Sequence, residues 1–287
     1  MASATQDLHP TNNARLRLLT FPREHGAWGM LFVPLATGAA IGYHSPAAIF
    51  PLILLTFAAL ALFCLRTPLE SWLAVSPVRP QTAAERHAVF SSVAAFATAG
   101  ALALAALLWL ERAWGLLALG AAVGAIFLLQ AVLKKLGRET RVSAQLIGSL
   151  GLTSTAAAAY YIAAGRLDTM VLILWGANWL FAANQIHFVQ LRIHAARAAT
   201  RSEKLARGRM FLLGEVLLVF LLAMASWLGQ LSALAVVAFA PVLTRGALWV
   251  LSPRTAPLEV RRLGQSELAH AVVFGVLLIV CARLGGL

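Results

Sequence analysis

The chain has 287 residues, of which 60% are hydrophobic and only 12% charged, and its mean hydropathy is +0.80. This composition excludes an ordinary soluble domain and is typical of a protein whose main solvent is lipid. The net charge of +12 would suit nucleic-acid binding, but no nucleic-acid motif is present and the basic residues follow a membrane pattern. We therefore exclude nucleic acid as a partner.

The first 20 residues read as a tail outside the membrane core. Residues 1–13 are polar and irregular, which predicts disorder. The following leucines mix with Arg15 and Arg17, as in a short segment that lies in the lipid headgroup layer. We expect residues 21–287 to form a single transmembrane helical domain after this tail.

Nine apolar runs follow the tail, and each is near the roughly 20 residues that a helix needs to cross a hydrocarbon core. They occupy residues 27–43, 46–65, 89–110, 114–133, 144–164, 168–190, 210–229, 231–251 and 266–284. The sequence therefore predicts an all-α polytopic transmembrane bundle of about nine spans.

The basic residues predict the orientation of these spans. Nineteen of the 23 Lys and Arg residues lie before the first run or in the gaps after the second, fourth, sixth and eighth runs. The opposite gaps and the C-terminal end hold only Arg112, Arg166 and Arg283, and Arg245 lies within a run. The positive-inside rule places the N-terminus in the cytoplasm and the C-terminus outside.

Several acidic residues have the spacing of helix starts. Residues 67–70 and 82–85 each match a capping box, in which a Thr side chain and a Glu side chain bond reciprocally to backbone N–H groups. Ser266 precedes Glu267 as an expected N-cap of the last run. We expect these carboxylates to stabilise helix ends rather than to act in catalysis.

The sixth run carries polar residues on one side of the predicted helix. At about 100° per residue, one face of a helix continuing into the next gap holds six polar or basic residues. They are Asn184, His187, Gln190, His194, Arg197 and Arg201. Such a face usually lines a cavity or a wet vestibule, so we expect Asn184 and His187 to line one, together with His25 at the mouth of the first run.

Four histidines, at positions 25, 187, 194 and 270, are predicted to lie at the same membrane face. Imidazoles beside glutamates can ligate a metal or haem, or transfer protons. Their spacing matches no recognised metal motif, so a haem- or metal-binding or handling protein is kept as an alternative, with no metal ligands and no cofactor assigned.

The opening PREHGAWGM, residues 22–30, resembles the YwiC-like family of bacterial integral membrane proteins. The likeness runs through all nine predicted spans. It implies a multi-pass protein of the bacterial cytoplasmic (inner) membrane, and the family name implies no reaction.

The chain also resembles, more distantly, the UbiA superfamily of intramembrane prenyltransferases, which have nine helices and a cytoplasmic active site. Arg79 and Pro80 stand where an Arg-Pro pair follows that family's first Asp-rich motif. Residues 133–135, with Gln145 and Gly148 beyond, resemble the stretch that leads into its fifth helix. The resemblance implies a UbiA-like fold and an isoprenoid-like substrate.

UbiA enzymes hold magnesium against a prenyl diphosphate with clustered aspartates, and the two matching loops here contain no Asp. Because magnesium usually needs carboxylates, we expect basic and polar side chains to bind an anionic head group directly. The candidate substrate-binding residues are Arg66, Arg79, Lys134, Lys135, Asn184, Gln190, Arg192, His194 and Arg197. His187 and His25 are the candidate catalytic residues, as proton-transfer groups.

The leading hypothesis is that the protein binds an anionic lipid or isoprenoid-like molecule in a basic cavity on the cytoplasmic side. If the protein is an enzyme, this hypothesis makes it a UbiA-like transferase without the usual Asp motifs. A transporter is the third class, favoured by the polar face and weakened by the lack of an internal repeat. The expected partners are membrane lipids. Gly120 and Gly124 form a small-xxx-small pattern that fits either a homodimer or packing within a monomer, and we favour the second.

Overall fold

The computed structural model describes residues 12–22, 25–76, 78–111, 113–137, 139–196, 198, 200–252 and 259–285. These residues form helices and no strand. The α-helices are α1 Asn12–Thr20, α2 His25–Gly42, α3 Ile49–Trp72, α4 Ala83–Leu110, α5 Gly115–Leu136, α6 Arg141–Ala164, α7 Thr169–Ala195, α8 Arg201–Trp227, α9 Ala233–Val237, α10 Ala240–Leu251 and α11 Val260–Gly285. The predicted all-α class is confirmed.

Each of the nine apolar runs falls on helical residues. Within the described ranges, six helical segments are long and apolar enough to cross a membrane, namely Pro46–Trp72, Ala83–Leu110, Gly115–Leu136, Arg141–Ala164, Arg201–Trp227 and Val260–Gly285. Gly26–Gly42 and Ala240–Leu251 are shorter apolar helices. The chain is therefore a multi-pass membrane protein, and the number of nine crossings stays a prediction.

Two of the expected continuous helices are interrupted. The eighth run divides into α9 and α10 because Pro241 stands in the first turn of α10 and has no N–H to continue a helix. The polar helix of the sixth run does not extend to Arg201, since α7 ends at Ala195. Thr200 instead caps α8, its Oγ1 accepting from Glu203 N at 3.2 Å.

The capping box at residues 82–85 forms as expected. Thr82 Oγ1 accepts from Glu85 N at 3.1 Å, and Glu85 Oε2 accepts from Gln81 N at 2.6 Å. Glu85 Oε1 also pairs with Arg15 Nε at 2.5 Å. The carboxylate therefore starts α4 and holds α1 against it.

The other two helix-start predictions are wrong. α3 continues through Pro68 to Trp72, and Glu70 pairs with Arg66 one turn earlier at 3.0 Å. α11 begins at Val260, so Ser266 lies inside the helix. In both places a helix that has already begun continues across a local start signal.

Contacts divide the chain into two compact units, Met1–Arg23 with Phe57–Ala106 and Glu24–Thr56 with Leu107–Leu287. In the second unit, Phe274 of α11 stacks on Phe181 of α7 with ring centroids 4.1 Å apart. Phe239, directly before α10, meets the same ring edge-on at 5.1 Å. These buried rings fix α7, α10 and α11 relative to one another. The division into a tail and one domain stays a prediction.

The predicted orientation can be tested directly. Because basic residues are retained on the cytoplasmic side, a reporter fused after Leu287 should be active only outside the cytoplasm. A reporter inserted after Arg207 should be active only inside. Alkaline phosphatase is active only outside the cytoplasm, and green fluorescent protein fluoresces only inside. Fluorescence of a green fluorescent protein fused after Leu287 would mean that the predicted number of spans is wrong by one.

Candidate functional site

A cluster of ionisable and polar side chains, all buried except the half-buried Glu215, joins four helices of the second unit. Arg245 of α10 forms an ion pair with Glu267 of α11, and the two side chains are only 8% and 7% exposed. Arg245 Nη2 also donates to Asn184 Oδ1 of α7 at 2.8 Å. Asn184 Nδ2 in turn donates to Glu215 Oε1 of α8 at 2.8 Å. The Asn184 amide thus bridges the guanidinium and a second carboxylate.

Neighbouring groups enclose this cluster. The guanidinium carbon of Arg245 lies 4.0 Å from the centroid of the Phe188 ring. Gln185 Nε2 donates to the backbone oxygen of Glu267 at 2.6 Å. A Cβ added to Gly246 would lie 2.8 Å from Glu215 Oε1, so glycine at this position leaves the room that the carboxylate fills. We will call Asn184, Glu215, Arg245 and Glu267 the ionic cluster.

The ionic cluster is not fully satisfied. Within the described residues, Arg245 Nε and Glu267 Oε1 are buried and have no hydrogen-bond partner. An unpaired buried polar atom costs about 1–3 kcal/mol, and more when it is charged. Ionisable groups inside membrane helices are rare for this reason and usually mark a functional site.

A pocket of about 740 Å³ opens beside the ionic cluster, between α7, α10 and α11. Its basic side chains are Arg192, Arg245 and His270, and its largest apolar walls are Phe188, Leu248 and Trp249. The remaining lining residues are Ala195, Ala196, Ala240, Pro241, Thr244 and Ser252. The pocket combines two guanidinium groups with apolar walls, an arrangement suited to an amphipathic anion. We will call it the basic pocket.

Lys204 of α8 holds one wall of the basic pocket in place. Its side chain is 1% exposed, and its ammonium donates to the backbone oxygens of Trp249 and of Ser252, the latter at 2.6 Å. The same ammonium lies 4.5 Å from the centroid of the Trp249 ring. Lys204 therefore satisfies carbonyl groups at the end of α10 and orients Trp249, a structural role that explains this buried lysine.

Of the sequence-predicted binding residues, two lie at these features. Asn184 belongs to the ionic cluster, and Arg192 lines the basic pocket. Gln190 Nε2 donates to Gln145 Oε1 of α6 at 2.9 Å, so it joins two helices. His194 is exposed, and its Nδ1 lies 2.7 Å from the backbone oxygen of Gln190.

The other predicted binding residues lie elsewhere or outside the described part. Lys134 and Lys135 stand in the last turn of α5 and do not line the basic pocket. Arg66 and Arg79 belong to the first unit, where Arg66 pairs with Glu70 and Arg79 is exposed. Arg197 lies outside the described residues. The binding roles of all these residues stay predictions.

The two predicted catalytic histidines are not brought to the basic pocket by any described contact. His187 is half-buried in α7, makes no hydrogen bond with a described residue and is not among the pocket-lining side chains. His25 begins α2, and its side chain lies outside the described part of the chain. The imidazole that does line the pocket is His270, whose Nδ1 lies 2.7 Å from the backbone oxygen of Ser266.

Metal ligation was the alternative role for the histidines. Across the residues that the structure describes, no group of three or more His, Cys, Asp or Glu side chains is placed to hold a metal ion. The metal- or haem-binding alternative stays a prediction.

The sequence reasoning missed Glu215, Arg245 and Glu267 as a set. Arg245 was placed within a run without a role, Glu267 was explained as a helix-start acid, and Glu215 was not considered. A signal was available: each of the last three apolar runs contains at least one charged residue, Glu215, Arg245 and Glu267 respectively, within it or at its edge. Such residues in membrane helices tend to pair with one another.

Comparison with protein families matches residues 21–160 to the family model described as YwiC-like protein. The match confirms the family resemblance read from residues 22–30, although it covers about half of the chain rather than all nine runs. No curated protein and no solved structure matches the chain. The ionic cluster and the basic pocket lie beyond the matched range.

Proposed function

We propose that this YwiC-like membrane protein binds an amphipathic anion, a lipid or an isoprenoid-like molecule, in the basic pocket between α7, α10 and α11. One observation carries the proposal: Arg192 and Arg245 line the same pocket as the apolar side chains of Phe188, Leu248 and Trp249. A ligand with a charged head and a hydrocarbon tail would satisfy both kinds of lining at once.

The two arginines differ in whether their guanidinium groups already have protein partners. The Arg245 guanidinium already contacts Glu267 and Asn184, whereas the guanidinium of the half-buried Arg192 makes no ion pair or hydrogen bond with a described residue. A guanidinium can donate two parallel hydrogen bonds to a phosphate, and these bonds are about twice as strong as neutral ones. We therefore assign first contact with the head group to Arg192, and the inner contact to Arg245.

The size of the basic pocket agrees with this ligand class. Its volume of about 740 Å³ falls within the usual range for small-molecule sites. The aliphatic chain of the ligand would extend along Leu248, whose side chain is exposed on the surface of α10. Lipid can therefore reach the apolar wall of the pocket laterally.

A transferase activity is the enzymatic form of the proposal and rests on the UbiA resemblance. If a diphosphate leaves during the reaction, positive charge from arginines would stabilise it. His187 or His25 would then move the proton, as proposed from the sequence. His270 is a third imidazole to test, because it lines the pocket.

A transporter is the second candidate function, favoured by a specific observation. The ionic cluster places three ionisable side chains from three helices in the buried part of a membrane protein. Buried networks of this kind occur along substrate and proton pathways. Flux of a radiolabelled anion into proteoliposomes would separate transport from simple binding.

We expect Arg192→Gln to weaken binding of dansyl-labelled phosphatidylglycerol by roughly 10- to 100-fold, because a charge-assisted hydrogen bond contributes about 1.5–3 kcal/mol. Binding is measured in dodecyl maltoside by energy transfer from tryptophan. Arg209→Gln is the matched control, since Arg209 is exposed on α8 and does not line the pocket.

Two further probes identify what is recognised. Dansyl-labelled diacylglycerol should bind weakly because it lacks the anionic head, and glycerol phosphate should compete weakly because it lacks the tail. EDTA should leave wild-type binding unchanged if the arginines act without magnesium. Equal affinities for wild type and Arg192→Gln would contradict the proposed site.

A further inference from the structure

We infer that binding of an anion in the basic pocket is coupled to the uptake of one proton by Glu215. The inference rests on the proposed function and adds a chemical requirement to it. The coupling arises because Arg245 is shared: it faces the basic pocket and is also the cation of the ionic cluster.

The charges of the ionic cluster do not balance when both carboxylates are ionised. Its described members are one guanidinium, Arg245, and two carboxylates, Glu215 and Glu267, joined by the neutral amide of Asn184. The resulting net charge of −1 is costly away from water, because the negative charge loses solvation and the repulsion between the two carboxylates is poorly screened. An anion that binds at Arg245 adds a second negative charge beside the first. Protonation of one carboxylate removes this repulsion.

Geometry selects Glu215 as the carboxylate that takes the proton. Glu267 forms an ion pair directly with the Arg245 guanidinium, so this guanidinium already balances its charge. Glu215 reaches Arg245 only through Asn184, whose Nδ2 donates to Glu215 Oε1. A proton from water can therefore occupy Oε2 while Oε1 keeps its hydrogen bond. The step converts a carboxylate and a proton to a carboxyl group and breaks no other bond.

Other titratable groups lie on the helices around Glu215 and must be distinguished from it. α9 has none, and α10 has only Arg245. The groups of α7 and the nearby turn of α11 are His187, Arg192, His194, Glu267 and His270. Histidine is the side chain type whose charge ordinarily changes between about pH 5 and pH 8. The test must therefore separate Glu215 from the histidines.

The experiment measures phosphatidylglycerol binding at pH 5.5 and pH 8.5, because a phosphodiester keeps the same charge at both values. Wild type should bind at least about 10-fold more tightly at pH 5.5, the effect of a free-energy difference of about 1.4 kcal/mol. Glu215→Gln keeps a hydrogen-bond acceptor for Asn184 and is permanently neutral. It should bind equally at both pH values, with an affinity near that of wild type at pH 5.5.

The control is Glu203→Gln, which removes a carboxylate from the same helix where it pairs with Arg207 near the surface. It should keep the pH dependence of wild type. A pH indicator in weakly buffered solution should also show wild type taking up close to one proton per bound phosphatidylglycerol at pH 8.5, and Glu215→Gln taking up none.

The outcomes separate this inference from the proposed function. Wild type that binds equally at both pH values without proton uptake overturns the coupling and leaves the anion site intact. Pronounced pH dependence in Glu215→Gln assigns the effect to a histidine and also overturns the coupling. No binding by wild type at either pH overturns both proposals. If Glu215→Gln does not purify as a folded protein, proton uptake is measured in variants that replace His187, His194 or His270 by Gln. Uptake lost in any of them assigns the proton to that histidine and overturns the coupling.

Discussion

Replacing Arg245 by methionine should destabilise the purified protein by about 3–5 kcal/mol, because removal of one partner leaves the other charge buried without compensation. The remaining unpaired group is the buried Glu267, which has one carboxylate oxygen without a hydrogen-bond partner among the described residues. The change also removes the donor to Asn184 Oδ1 and the contact with the Phe188 ring. Thermal unfolding in detergent, followed by tryptophan fluorescence, measures the loss.

A double substitution tests the cause of this loss. Arg245→Met combined with Glu267→Gln removes both charges, and replacement of a buried ion pair by neutral residues is often close to neutral in free energy. The double variant should therefore recover most of the stability that either single variant loses. Losses that simply add would show that the two residues act independently, contrary to the ion pair in the structure.

The same pair of variants separates stability from binding. The double variant is expected to fold but to lack the inner guanidinium of the basic pocket, so phosphatidylglycerol binding should stay weak. Arg209→Gln again provides the control, since it removes a guanidinium at the surface. Recovered stability together with recovered binding would remove Arg245 from the ligand site while keeping its structural role.

Local sequence signals predicted helix positions well and helix ends unevenly. The apolar runs locate the helices because burial in lipid forces every backbone group to be bonded within the segment. Residues 67–70 and 82–85 carry the same kind of capping pattern, yet only the second begins a helix. At residues 67–70 the preceding apolar helix continues, and Glu70 finds Arg66 one turn earlier. Whether such a motif begins a new helix depends on whether a helix already precedes it, and the motif itself does not contain that information.

The site was only partly predictable for a related reason. Helical periodicity relates residues three or four positions apart, and it identified Asn184 as a polar residue inside a span. Arg245 and Glu267 are separated by 22 residues, and Asn184 and Glu215 by 31. Such pairings depend on which helices become neighbours, and that is decided by packing such as the stack of Phe181 on Phe274.

Glycines illustrate the same limit. The predicted small-residue pattern at Gly120 and Gly124 was expected to pack helices within the chain, but an added Cβ at either position meets no heavy atom within 4 Å in the described structure. A glycine pair that does pack is Gly38 and Gly42 of α2, which lie against Ala156 and Tyr160 of α6. The two pairs have identical spacing, so only the packing of the helices distinguishes them.

Gly38→Ala should therefore destabilise the protein strongly, although the same change usually stabilises a helix by about 0.5–1 kcal/mol. A Cβ at this position would lie 2.1 Å from the backbone oxygen of Ala156 and 2.8 Å from its carbonyl carbon. These are backbone atoms, so no side-chain rotation relieves the clash and α2 must move away from α6. We expect a loss of about 3 kcal/mol, at the upper end of the range for overpacked sites.

Gly120→Ala is the matched control for this prediction, since it makes the same chemical change in an open position of α5. It should leave the melting temperature unchanged or raise it, because the only remaining effect is the higher helix propensity of alanine. Gly38→Ala should therefore lower the melting temperature, whereas Gly120→Ala should not lower it. A Gly38→Ala protein as stable as Gly120→Ala would show that α2 and α6 do not cross as closely as the structure places them.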